Sequence, residues 1–125
     1  MVVVVVCGDR KLREAYALAL AGRGLEVLPL GSAAVAEAAI LRLTMVGLLC
    51  DLTGDEDWPR VFEAAKLRGV PTVAIVDVSS EAQAHELGAR VVIEGPVNPE
   101  VAAQAVHQVA SGTAATLAAT GASAI

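Results

Sequence analysis

The sequence predicts an α/β fold, a parallel five-stranded sheet wound on both faces by helices. Three observations carry that reading. Short aliphatic runs alternate five times with helix-length segments, the order that builds βα units with right-handed crossovers. The runs over residues 2–7 and 45–50 are apolar at every position instead of alternating, as strands covered on both faces are. The chain has 125 residues, 55% hydrophobic and 2% aromatic, enough for one domain with an aliphatic core.

The elements follow in order. Residues 2–7 form the first strand, and Asp9 can cap a helix over 10–21 that Gly22 and Gly24 close. A second strand covers 25–30, and Ser32 can cap a helix from 33 to about 43. The third strand covers 46–50, and a polar loop over 51–57 leads to a helix over 58–68 that Gly69 stops. Pro71 opens the fourth strand, 72–76. Ser80 with Gln83 has capping-box spacing for a short helix over 81–87. The fifth strand covers 89–93, and Asn98-Pro99 starts a last helix with proline where its missing N–H costs nothing. One domain is expected over 1–110. Residues 111–125, an uncharged tail rich in Ala, Thr, Gly and Ser, can continue the helix, dock on the body or stay loose.

Composition excludes several function classes. Nine basic and fourteen acidic residues give a net charge of −5. Residues 1–44 hold five bases and four acids, while residues 51–100 hold four bases and ten acids. No basic patch could neutralise several phosphates, which argues against direct nucleic-acid binding. No uncharged stretch before the C-terminus approaches a membrane span, so the expectation is a soluble protein without membrane partners. The 2–6 run lacks the basic region and cleavage site of a signal peptide. Two cysteines without a secretory signal point to reduced thiols in a cytoplasm.

The informative residue is Asp51. It closes the apolar run 45–50 and so stands at the carboxyl end of the third strand, the edge where ligands and reactive groups collect in open α/β sheets. Neighbouring strand ends bring Cys7 and Gly8, Val76 and Asp77, and Glu94 and Gly95 to the same edge. None is a lysine. The surrounding acids, Asp9, Asp55, Glu56, Asp57, Asp77 and Glu94, form a rim that repels a phosphodonor and attracts a cation or a basic partner. Mg²⁺ wants oxygen ligands in octahedral geometry, which a thiol or a bare Cα hydrogen cannot supply. Phosphoryl transfer also needs positive charge against the equatorial oxygens. The position has the shape of a phosphoryl site and lacks its chemistry.

Over roughly residues 2–110 the chain resembles the receiver domains of two-component response regulators. The resemblance rests on Val6–Glu14 (VCGDRKLRE), 48–52 (LLCDL), 71–76 (PTVAIV), and Gly88-Ala89-Arg90 followed by Gly95-Pro96-Val97. It implies a flavodoxin-like, doubly wound sheet of order 2-1-3-4-5 with five helices, Mg²⁺ binding, and a phosphoryl group taken on the third-strand aspartate, here Asp51. Carried residue by residue, the rest departs. The metal-binding acidic pair falls on Cys7 and Gly8. The Ser/Thr of the fourth strand falls on Val76, the fifth-strand lysine on Gly95 and the aromatic switch on Val92. Only Asp51 and the Gly95-Pro96 turn remain, which resembles an atypical pseudo-receiver, a non-enzymatic module.

The first function expected is a stand-alone signalling module that works by protein–protein contact or dimerisation without a Mg²⁺-dependent phosphorylation cycle and without a cofactor. In receivers the face of the fourth helix, fifth strand and fifth helix commonly docks partners. Here it would present His85, Glu86, Arg90, Glu94, Gln104, His107 and Gln108, with Ala103 and Val106 as apolar contacts. The alternatives are a slow receiver phosphorylated on Asp51 and a cation or small-ligand sensor at the acidic edge. Plainer roles compete at each position. Asp9 suits a helix cap, Asp55–Asp57 a solvated loop lacking the spacing of a calcium site, and Cys7 and Cys50 two inert core thiols. His85 and His107 lack a partner at metal-ligand spacing.

Overall fold

The structure, a computed structural model, describes residues 2–51 and 58–123, with side chains as far as residue 112. The strands are β1 (Val2–Val6), β2 (Glu26–Leu30), β3 (Gly47–Asp51), β4 (Thr72–Val76) and β5 (Val91–Glu94). The helices are α1 (Arg10–Ala21), α2 (Ala33–Arg42), α3 (Trp58–Arg68), α4 (Glu81–Glu86) and α5 (Pro99–Ser123). All strand pairs are parallel and the order is β2-β1-β3-β4-β5, as expected. The strand order reverses between β1 and β3, and the crevice beyond their carboxyl ends is the usual ligand position of such sheets.

β3 and β4 are buried at every position, which explains why neither alternates in sequence. The sheet divides the core into two layers. Val3, Val5 and Cys7 pack with Leu49, Val73 and Ile75 beneath Tyr16 and Leu20 of α1 and Ala102, Ala103, Val106 and Ala110 of α5. Val4, Val6, Cys50, Ala74 and Val76 face the other way, onto Ala36 and Ile40 of α2, Val61 and Phe62 of α3 and Ala84 of α4. A core this poor in aromatics is held by close aliphatic packing.

The helix starts follow local chemistry. Asp9 accepts from the Leu12 N–H at 3.0 Å, Ser32 from Val35 at 3.3 Å, and Asn98 from Glu100 at 2.9 Å. Gly24, at φ +81°, takes the chain out of α1 in the left-handed region that suits glycine.

Several expectations are corrected. Ser80 makes no side-chain cap. The carboxylate of Asp77 instead accepts from the Ser80 N–H at 3.1 Å and closes a 3₁₀ turn over Val78–Ser80 ahead of α4. Asp is the stronger acceptor, so it captures the cap three residues early. β5 begins at Val91, not 89, because the Ala89 N–H bonds back to Ala84 and only the Arg90 N–H reaches Thr72 on β4. Beyond residue 110 the first of the expected courses is the one taken, and α5 runs on through Ser123. No helix among the described residues is long and apolar enough to cross a membrane.

Candidate functional site at the carboxyl edge of the sheet

Alternation along β3 sends Leu49 to the α1–α5 layer, and Asp51, two residues on, follows it. α1 turns Leu12, Tyr16, Ala19 and Leu20 toward that layer at helical spacing. With its start fixed by Asp9, α1 brings the Tyr16 hydroxyl to Asp51, where it donates to Oδ2 at 3.1 Å. Tyr16 is 1% exposed and Asp51 6%. Burial, and then the neighbouring carboxylate, push the Tyr16 phenol far above the ordinary tyrosine range, so it stays a protonated donor.

Cys7 lies in the same layer. Burial raises its thiol, a hydrogen bond from Sγ to the Asp9 carbonyl at 3.5 Å opposes the rise, and the charges of Asp51 and Asp9 add to it. Such a thiol is a poor nucleophile and a poor metal ligand. From α1, Arg13 donates through Nη1 to the Cys7 carbonyl at 2.8 Å. The same guanidinium covers Gly31, where a Cβ would lie 2.7 Å from Nη1. Arg13 thus ties the backbone end of β1 and lies against the turn that follows β2.

Beside Asp51 is a cavity of about 240 Å³, lined by Leu12, Tyr16, Asp51, Ile75, Gly95, Pro96 and Val97. Gly95 closes in on the sheet, and a Cβ there would stand 3.1 Å from Ile75 Cγ2.

The edge collects some expected residues and not others. Cys7 and Gly95 lie near Asp51, whereas Gly8 is exposed. Val76 and Val92 belong to the opposite core layer. Asp9, Asp77 and Glu94 are exposed, and the first two serve as caps. Asp55, Glu56 and Asp57 lie outside the described residues. Among the described residues no three His, Cys, Asp or Glu side chains cluster to hold a metal ion. Cys7 and Cys50 occupy opposite layers and are not bridged to one another.

On the expected partner face, His85, Glu86, Arg90, Gln104 and Gln108 are exposed and His107 is partly so. Ala103 and Val106 are not part of that surface. Both are 0% exposed, because they fall on the stripe of α5 that packs against the sheet and α1. Tyr16 and Arg13 are residues of this edge that no sequence motif singles out. A signal existed for Tyr16: it is the one tyrosine of the chain and stands on the apolar stripe of the first helix.

Similarity to known proteins lies in the fold. No family model and no curated protein matches the sequence. Among solved structures, a response regulator receiver domain protein (CheY-like) from Methanospirillum hungatei JF-1 superposes with a TM-score of 0.79 at 20% identity. That match covers 92% of this chain and 97% of the other. A response regulator receiver protein from Pseudoalteromonas atlantica gives 0.69 at 19% identity, over 90% and 98% of the two chains. Full-length FixJ from B. japonicum gives 0.76 at 16% identity, over 90% of this chain and 58% of that one. The chain therefore has the five-stranded CheY-like receiver fold.

Proposed function

We propose that this chain is a pseudo-receiver, a signalling module that acts by contact with another protein or a second copy of itself, without a Mg²⁺-dependent phosphorylation cycle. The observation that carries the reading is the surroundings of Asp51. Its Oδ2 accepts from the buried Tyr16 hydroxyl. The nearby ends of β1 and β5 bring a buried thiol at Cys7 and a bare glycine at Gly95. A thiol with raised pKa does not replace a carboxylate as a Mg²⁺ ligand. A glycine cannot neutralise the charge of a phosphoryl group in transfer. Removing one such electrostatic group costs on the order of 10²–10³ in rate, and here several positions lack one.

With the chemistry reduced, output must come from surface. The exposed side chains His85, Glu86, Arg90 and Gln104, on α4, the turn before β5 and α5, offer a mixed-charge face that suits a polar, reversible contact.

The test is an intact mass spectrum after incubation with acetyl phosphate and Mg²⁺, beside Asp51→Asn. The expected result is no adduct on either protein and no change in Trp58 fluorescence. A stoichiometric phosphate adduct on the wild type that Asp51→Asn abolishes would overturn the reading.

A further inference from the structure

Helix α2 turns an apolar side to solvent. Val35 and Leu41 are 54% and 45% exposed, and Ala34 and Ala38 are exposed beside them. Ala34, Ala38 and Leu41 recur at spacings of four and three, so they form one stripe along the helix. This is not the side that docks α2, since Ala33, Ala36 and Ile40 are the residues buried against the body. The two charged residues of α2, Glu37 and Arg42, line the same shallow groove as the stripe. By helical geometry they fall on its opposite flanks, about 70° to either side. Their spacing is too wide for a pair within the helix. Neither enters an ion pair among the described residues.

We propose that α2 is a contact between two copies of this chain, packed parallel about a two-fold axis that runs along the helices. The charges select both the partner and the direction. In a parallel pair opposite flanks meet, so Glu37 of each copy faces Arg42 of the other, as flanking charges do across a coiled-coil seam. An antiparallel pair would set Glu37 against Glu37 and Arg42 against Arg42, and like charges repel. A two-fold contact needs a surface that complements itself, and one anion and one cation on opposite flanks of an apolar stripe meet that need. Ala34 and Ala38 let the two helices approach, and Leu41 supplies the larger apolar surface between them. Strand addition does not compete at this end of the sheet, because the edge strand β2 carries Pro29, which has no N–H to donate. The ten residues of α2 fall short of the roughly 20–30 a side of a standard interface. Pairing is therefore weak and concentration-dependent. It deepens the contact reading above by naming a second copy, and it leaves α4, β5 and α5 open to another protein.

The test follows amide shifts of the whole chain over a concentration series reaching about 1 mM, the range of a weak contact. The expected result is saturating shifts centred on Ala38, Leu41 and Arg42. Glu37→Arg and Arg42→Glu each turn both symmetric attractions into repulsions, so each should weaken association roughly fivefold. The double reversal, Glu37→Arg with Arg42→Glu, should restore it, which only opposite flanks in contact can do. No concentration dependence, shifts centred on α4 and α5 instead, or a double reversal no better than either single one would overturn the proposal. The wild-type series decides the location of the contact even if a variant fails to fold. The phosphate-adduct experiment separates the two readings, since an unmodified chain without α2 shifts sinks the helix contact and leaves the pseudo-receiver standing.

Discussion

The Tyr16 hydroxyl reaches Asp51 Oδ2 at 3.1 Å, joining the middle of α1 to the end of β3 across 35 positions of sequence. The bond does two things at once. It satisfies part of a carboxylate that the fold has drawn out of water, and it places a neutral phenol on the aspartate that the resemblance to receivers marks as phospho-acceptor. A phenol is neutral when protonated and anionic when ionised, so in neither form can it supply the positive charge that phosphoryl transfer requires.

Tyr16→Phe should cost about 1.5–3 kcal/mol in urea unfolding, the range for a lost hydrogen bond to a charged group. The pH dependence has a definite sign. The folded phenol ionises above the unfolded value of 10. Its stabilisation is therefore complete below pH 10 and declines as the pH rises from there toward the folded pKa. The stability gap between wild type and Tyr16→Phe should narrow in that alkaline window. Phenolate absorbance reads this one tyrosine directly. A midpoint near 10 in the folded protein would contradict the buried bond.

Cys7 and Cys50 should both resist alkylation by iodoacetamide at neutral pH until the chain unfolds, since they are 2% and 1% exposed. Mild oxidation should give no internal bridge, because the two thiols face opposite core layers. Rapid labelling of Cys7 in the folded protein, found by peptide mapping, would contradict a buried thiol of raised pKa.

How much of this was legible follows from the physics of each signal. Uniformly apolar runs announced β1 and β3, and short polar side chains before helices announced the caps at Asp9 and Ser32, because both signals are local. The bond between Tyr16 and Asp51 was not legible, since nothing in either segment specifies the angle at which α1 crosses the sheet. Ala103 and Val106 read as surface residues in the sequence for a related reason. A helix as uniformly apolar as α5 gives weak contrast between its faces, and only docking on α1 and the sheet decides which residues are covered. The capping-box spacing favours Ser80 as the cap, while the stronger acceptor, Asp77, stands three residues earlier.

Two glycines should respond to alanine in opposite directions. Gly24 has open space around it but sits at φ +81°, so Gly24→Ala should cost about 1 kcal/mol through the backbone. Gly47 has an ordinary φ, and a Cβ there would meet Ala110, Val106 and Val109 at 3.7–3.8 Å. Gly47→Ala should therefore be neutral or gain up to about 1 kcal/mol. Urea midpoints for the two variants check both, and a loss at Gly47 would mean that α5 docks closer to β3 than described.

The corrected face of α5 yields the last prediction. Val106 is 0% exposed and packs with Val3, Leu49 and Val73, so Val106→Ala should cost about 1.5–3 kcal/mol. Gln104 is exposed two residues away, and Gln104→Ala should change stability by no more than about 0.5 kcal/mol. If the chain works by contact through this face, the two variants should separate stability from association. Gln104→Ala combined with Arg90→Ala should weaken self-association or partner binding in analytical ultracentrifugation while leaving the unfolding midpoint in place. Val106→Ala should lower the midpoint and leave association intact under conditions where the chain stays folded. The reverse assignment would mean that α5 is rotated about its axis and that Val106, not Gln104, is what a partner meets.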